Sequence, residues 1–136
     1  MGYRSNVALV LSKDGVKFFH ARLTAPTMNN DLQVCIRNFL NHADTYYADD
    51  STGAEVWYWE WVKWYAGDTG AYAEINFIED TLQLLDEKDF RFIRIGEEDN
   101  DSENTGTYFD NPFNVDFVRF ISIDEPAGNA GLTENR

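Results

Sequence analysis

Cysteine is almost missing from this chain, since Cys35 is the one cysteine among 136 residues. A lone cysteine cannot form a disulfide within the chain or build a multi-cysteine zinc site. The fold must therefore be held together by a hydrophobic core, and a chain of this length is the usual size of one domain. Low cysteine content also fits a reducing compartment, so we expect a cytoplasmic protein.

Long apolar runs are also missing. The longest, such as residues 7–11, are far shorter than the roughly 20 apolar residues that a membrane-spanning helix needs. The first residues carry neither the basic stretch nor the apolar core and small-residue cleavage site of a signal peptide. We therefore expect no contact with a membrane and no secretion.

Motifs of catalysis and metal binding are absent as well. The sequence contains no glycine-rich phosphate loop, nucleophile elbow or HExxH motif, and its two histidines have no partner at ligand spacing. Asp99, Asp101 and Glu103 alternate like the opening of a calcium loop, but Asn104 and Asp110 replace its glycine and bidentate glutamate. We predict no catalytic residue, no metal and no cofactor. An active site assembled from distant residues stays open as an alternative.

What the sequence has in abundance is aromatic side chains, and residues 55–65 (EVWYWEWVKWY) hold all four tryptophans. Trp57, Trp59 and Trp61 recur at every second residue, the spacing of side chains on one face of a β-strand. Each large aromatic side chain buries on the order of 150–250 Å². We therefore predict that this row is buried under helices and anchors the core. A stacking platform for a sugar or a base is the alternative.

The remaining pattern predicts a mixed α and β fold. Apolar periodicity and turn residues give this order of elements: strand 7–12, helix 16–23, helix 31–43, strand 55–65, helix 71–86, strand 90–95, a brief strand 107–109 and strand 116–124. Residues 44–53 are polar and are predicted to form a turn, and Asp68 or Thr69 is the expected cap of the third helix. This order predicts a single α+β domain over residues 1–124, with a largely antiparallel sheet and helices packed on one face. Residues 125–136 offer little to bury and are predicted to be a frayed tail.

The charge is strongly acidic and unevenly distributed, with a formal net charge of −13. Residues 1–63 hold six lysines or arginines against seven carboxylates, whereas residues 64–136 hold five against seventeen. Between Arg94 and Arg119 there are seven carboxylates and no base, so we expect no local neutralisation. A negative surface repels the phosphate backbone of DNA or RNA and suits a basic protein partner. The sequence does not indicate the oligomeric state.

The densest run of negative charge is residues 97–103, which we call the acidic segment. Five of its seven residues are carboxylates, and we predict that they bind the partner: Glu97, Glu98, Asp99, Asp101 and Glu103. Like charges packed together would be costly, so we expect these side chains to stay in water on a mobile connection between strands. Four arginines lie in or beside the strands: Arg4, Arg91, Arg94 and Arg119. They could converge on an anion, but pairing with neighbouring carboxylates is the simpler use.

Three blocks of sequence carry a resemblance to a known family. These are Gly2-Tyr3-Arg4-Ser5 before the first strand, WEWVKWY at residues 59–65, and FRFIRIGE at residues 90–97 followed by acidic residues. Together they resemble a family of small, uncharacterised proteins of phages, prophages and bacteria. The family has no assigned activity, so the resemblance implies a phage context and no catalytic residues.

Two functional hypotheses follow from the sequence. The first is a small, non-enzymatic binding protein of phage type that inhibits a host nucleic-acid-handling protein, such as a restriction or CRISPR effector, through its acidic surface. The second is a housekeeping or enzymatic α+β domain whose acidity serves only solubility. A basic partner that is released by salt would favour the first hypothesis, and a bound metabolite would favour the second.

Overall fold

Strand β1 lies at the centre of a five-stranded antiparallel sheet with the order β2-β3-β1-β4-β5. The computed structural model describes residues 2–67, 72–117 and 121–128. Within these ranges the elements are β1 Ser5–Leu11, α1 Lys13–Leu23, α2 Asn30–Asn41, β2 Thr45–Ala48, β3 Glu55–Val62, α3 Ala73–Leu84, a 3-10 turn Glu87–Asp89, β4 Phe90–Gly96, β5 Ser102–Thr105, β6 Asp116–Phe117 and β7 Ile121–Ser122. The predicted α+β fold with a largely antiparallel sheet is confirmed.

The helices cover one face of this sheet, as predicted. Alternate residues of β1, Val7, Leu9 and Leu11, pack with apolar side chains from all three helices. The ring of Trp59 stacks on Phe39 of α2 with centroids 4.8 Å apart, and its indole N–H donates to the Phe39 carbonyl at 3.1 Å. The stack therefore buries a large aromatic side chain and also satisfies its polar atom.

The other face of the sheet is covered by the C-terminal part of the chain. Ala8 and Val10 of β1 point to this side, where Phe113 and Ile121 pack against the sheet. β1 is apolar along its length, as expected for a central strand that is covered on both faces. The core thus has two layers with the sheet between them.

The predicted tryptophan row is wrong at its third member. Trp57 and Trp59 are 8% and 2% exposed, but Trp61 is 58% exposed. The pairing of β1 with β3 shifts between Ser5 and Val7, and Trp61 has a φ of 59°, in the left-handed region. The extra residue of this bulge breaks the alternation, and Trp64 enters the core instead.

Two further predictions are corrected by short edge strands. β2 lies inside the predicted turn 44–53, where Tyr46 and Tyr47 pair with β3. β5 lies at 102–105, not at the predicted 107–109, and its sequence SENT has no apolar alternation to reveal it. Edge strands bury little side-chain surface, so their position depends on pairing with a neighbour more than on their own pattern.

The C-terminal region agrees with its prediction only in part. β6 and β7 form a small separate antiparallel pair within the predicted strand 116–124, and residues 118–120 between them lie outside the described ranges. Pro126 is buried, and the Gly128 carbonyl accepts a hydrogen bond from the backbone of Asp50 at 2.9 Å. Residues 129–136 of the predicted tail and the predicted helix cap at 68–69 also lie outside the description.

Within the described ranges, none of the helices is both long enough and apolar enough to cross a membrane.

The contrast between Trp59 and Trp61 gives a stability prediction. Replacing Trp59 by Ala removes a buried ring and should lower the free energy of unfolding by about 3–5 kcal/mol. The matched change Trp61→Ala removes an exposed ring and should change it by less than about 0.5 kcal/mol. Urea unfolding followed by circular dichroism measures both. Equal losses in the two variants would contradict this account of the core.

Candidate partner-binding site at the acidic end of the sheet

The acidic segment joins β4 to β5 as a closed hairpin. The Gly96 N–H donates to the Asp101 carbonyl at 2.8 Å, and the Asp101 N–H donates to the Glu98 carbonyl at 3.0 Å. Glu97, Glu98 and Asp99 are exposed at the tip. The segment was expected to be only a connection between strands, but its last two residues belong to β5 and its turn is hydrogen-bonded.

Arg94 neutralises part of the segment, so the expectation of no local neutralisation is wrong. Its guanidinium forms two hydrogen bonds with the Asp101 carboxylate, at 2.7 and 3.2 Å, and its Nε donates to Glu103 at 2.9 Å. Arg94 is paired with Glu103 across the ladder between β4 and β5, which brings the two side chains together. Arginine pairing with neighbouring carboxylates, the simpler of the two predicted uses, is confirmed at this position.

The residues before β1 hold the segment from the other side. The Tyr3 hydroxyl donates to the Asp101 carboxylate at 2.5 Å and accepts a hydrogen bond from the Glu98 N–H at 3.0 Å. The Arg4 N–H donates to the Glu97 carboxylate at 2.6 Å. We call Tyr3, Arg4 and Arg94 the clamp, since together they fix the hairpin against the end of the sheet.

The clamp sets the protonation of Asp101. Hydrogen bonds from Arg94 and, to a smaller extent, from Tyr3 hold the pKa of the Asp101 carboxyl below its ordinary value. The same contacts raise the pKa of Tyr3, mainly through its hydrogen bond to Asp101, and raise the pKa of Arg94. At neutral pH the site thus holds an ionised carboxylate, a neutral phenol and a charged guanidinium.

A further carboxylate, Glu79 of α3, lies near this network. Burial raises the pKa of Glu79, while the indole N–H of Trp64 donates to its carboxylate at 2.8 Å and lowers the pKa. The charge of Glu103 raises the pKa of Glu79 and that of Arg94 lowers it, both by less than burial and the Trp64 hydrogen bond do. Glu79 is therefore mainly the half-buried acceptor for Trp64.

Trp61 lies at the same end of the sheet and was missed as a site residue. The backbone N–H of Trp61 donates to the side-chain oxygen of Asn6 at 2.8 Å. The Arg4 guanidinium donates to the backbone carbonyl of Trp61 at 3.2 Å. Arg4 therefore contacts both Trp61 and Glu97, with β1 between them. A weak signal for this was present in the sequence, since Trp64 is a further tryptophan out of phase with the predicted row.

Taken together, the site presents fixed negative charge beside one exposed aromatic ring. Of the residues that the structure describes, no three or more histidine, cysteine or carboxylate side chains form a metal-binding group. His20 and His42 are exposed on α1 and after α2, away from the hairpin. The arrangement of the hairpin and Trp61 is suited to contact with a positively charged surface.

Comparison of the chain with protein-family models, with curated proteins and with solved structures finds no match. The resemblance to small phage and bacterial proteins therefore stays a prediction, and so does the role of the acidic segment in binding a partner.

The depressed pKa of Asp101 gives a prediction about acid stability. The stabilisation that the ionised Asp101 carboxylate provides is complete above its unfolded-state pKa of about 3.9. It disappears as the pH falls through the lower folded-state pKa. Asp101→Asn should therefore lower the free energy of unfolding by about 1 kcal/mol at pH 7, and the deficit should vanish at low pH. Urea unfolding between pH 7 and pH 2 measures this. A deficit that is the same at all pH values would contradict the charge pairing.

Gly96 gives a prediction about the shape of the hairpin. A Cβ at this position would collide with the Asp101 carboxylate and the Tyr3 hydroxyl. Gly96→Ala should therefore displace the clamp and cost about 1–3 kcal/mol of stability without changing any charge. Backbone amide chemical shifts of residues 97–103, together with urea unfolding, test this. Unchanged shifts would show that the hairpin is not held by these contacts.

Proposed function

We propose that this protein is a small, acidic binding protein of phage type that inhibits a host nucleic-acid-handling protein. In this proposal the acidic end of the sheet occupies the basic groove in which the partner accepts phosphates. Direct binding of DNA or RNA is not part of the function, because the same charge repels phosphates. The resemblance to small phage proteins supports the phage context.

The observation that carries this proposal is that internal contacts hold the backbone of the hairpin and three of its carboxylates, those of Glu97, Asp101 and Glu103. A disordered acidic tail would have to lose conformational freedom on binding, which weakens the complex. Here the hairpin is already closed, and Tyr3 and Arg94 hold Asp101 from two sides. A pre-organised acidic surface can therefore bind a basic groove with little further ordering.

The charge that faces a partner comes mainly from the tip of the hairpin. The acidic segment holds five carboxylates, and Arg94 forms ion pairs with two of them, Asp101 and Glu103. Asp101 and Glu103 lie at the base of the hairpin beside Arg94, and Glu98 and Asp99 are exposed at its tip. We therefore assign the shape of the hairpin to the first pair and the attraction of the partner mainly to the second.

Trp61 supports the same surface. An exposed tryptophan beside a charged patch is the type of residue that supplies most of the binding energy in protein interfaces. Its left-handed backbone is uncommon for a non-glycine residue, and such strain is concentrated at functional sites. In this proposal the carboxylates guide the approach of the partner and Trp61 inserts between its side chains.

The experiment begins with a pull-down from a bacterial lysate at low salt, followed by release at high salt. The recovered partner should be a basic nucleic-acid-binding protein, and added DNA or RNA should compete with this chain for it. For that partner, Glu98→Gln/Asp99→Asn should lower the association rate constant about three- to tenfold at low salt and reduce its dependence on salt. Stopped-flow or surface-based kinetics measure both quantities.

Asp14→Asn/Asp50→Asn is the matched control. Both residues are exposed, and they lie beyond the other end of β1, so this variant has the same net charge without changing the hairpin. It should keep the parent association rate at a given salt concentration to within about twofold. Equal effects of the two variants would show that only the overall charge matters. No effect of either, or a partner without affinity for nucleic acid, would favour a domain whose acidity is incidental.

A further inference from the structure

A cavity of about 270 Å³ lies on the helix-covered side of the sheet, between α1, α2 and the ends of β1 and β3. Its apolar wall includes Leu11, Phe19, Leu23 and Trp57. A cavity of about 150 Å³ lined by apolar side chains is large enough for benzene. The space here is therefore sufficient for one aromatic ring with a short side chain.

The cavity also contains a carboxylate, that of Glu55, the first residue of β3. The Tyr46 hydroxyl donates to its Oε1 at 2.8 Å, and the Tyr46 ring packs on Trp57 with centroids 5.5 Å apart. None of the ion pairs in the described part of the chain includes Glu55. Glu55 is therefore a half-buried hydrogen-bond acceptor beside the apolar wall of the cavity, with the Tyr46 hydroxyl as its donor.

Burial makes this carboxylate costly in the folded protein. It raises the pKa of the Glu55 carboxyl, and the hydrogen bond from Tyr46 offsets only part of that rise. Burial and the nearby carboxylate also raise the pKa of Tyr46. A cationic group placed on Glu55 would favour its ionised form and supply the charge-assisted hydrogen bond that it lacks.

Three polar residues on the outer turns of α1 and α2 also line the cavity and are exposed: His20, Arg37 and Asn41. Arg37 is the charged residue among them. Among the described residues, the ionisable side chains that line the cavity or contact Glu55 are thus His20, Arg37 and Tyr46. An anion could therefore be held at the exposed side by Arg37, while a cation would be held inside by Glu55.

We propose that this cavity is a binding site for a small aromatic amine, whose ring lies against the apolar wall and whose ammonium group contacts Glu55. An aromatic ring fits the volume of the cavity and can pack against its aromatic side chains. The ammonium group carries the charge opposite to that of the Glu55 carboxylate, and the net charge of −13 favours the approach of a cation over that of an anion. This site goes beyond the proposed partner binding, since it takes a small molecule.

The site is also separate from the acidic hairpin in space. The first residue of β1, Ser5, pairs with Gly96, and its last residue, Leu11, pairs with Glu55. The two sites therefore lie at opposite ends of the strand. Seven residues of strand span about 20 Å. Loss of one site therefore leaves the other intact, and the two proposals can fail independently.

The test compares two probes of the same body and opposite charge, phenethylamine and 3-phenylpropanoate. Titration calorimetry and amide chemical shifts should show saturable binding of phenethylamine, with shifts at Leu23, Glu55 and Trp57. Its affinity should exceed that of 3-phenylpropanoate at least about tenfold, the effect of one hydrogen bond to a charged group. Equal or tighter binding of the carboxylate, or no saturable binding of the amine, would overturn the proposal.

Two variants test whether the ammonium group contacts Glu55. Glu55→Gln should weaken phenethylamine at least about tenfold, and it should fold, because it removes a charge that burial disfavours and keeps an acceptor for Tyr46. Arg37→Gln is the control and should leave the affinity for the amine unchanged or higher. A loss in Arg37→Gln, or none in a folded Glu55→Gln, would overturn the assignment of the amine to Glu55. Partner binding through the hairpin should be the same in both variants.

Discussion

The burial of β1 on both faces is the constraint on which the rest of the structure depends. Val7 to Leu11 are almost completely inaccessible, with helices on one side and the C-terminal segment on the other. The backbone of such a strand must find its hydrogen bonds within the sheet, which β3 and β4 provide along its length. The register of these two ladders then determines what lies at each end of the sheet.

At one end, that register brings together residues that are almost a hundred positions apart in the sequence. Ser5 pairs with Gly96, so the residues just before β1 meet the acidic segment just after β4. Tyr3 and Arg4 can then contact Asp101 and Glu97, and the small size of Gly96 leaves room for them. The clamp is thus a consequence of the core, because a slip of one residue in β1 would separate its members.

Sequence reasoning succeeded where the pattern is local and failed where it depends on pairing. The helices and the three long strands have apolar periodicity of their own, and their positions were predicted to within a few residues. The bulge at Trp61 depends on the pairing of β3 with β1, and the edge strand β5 depends on its pairing with β4. No local sequence pattern therefore predicts either of them. Pairing of Arg94 with neighbouring carboxylates was predicted, but the choice of Asp101 and Glu103 depends on the ladder between β4 and β5 and could not be read from the acidic segment itself.

The structure also changes what the acidic composition means. Counting charges treats all carboxylates as equal, yet Asp101 and Glu103 are paired with Arg94, while Glu55 and Glu79 are half-buried with raised pKa values. Paired carboxylates determine the shape of the hairpin, and half-buried ones contribute a local acceptor more than a surface charge. The charge that a distant partner meets is therefore smaller than the formal total and is concentrated where exposed side chains stand on a fixed backbone. The tip of the β4–β5 hairpin meets both conditions, because its turn is hydrogen-bonded and Glu98 and Asp99 are exposed. Its geometry, more than the net charge of the chain, therefore supports a binding function.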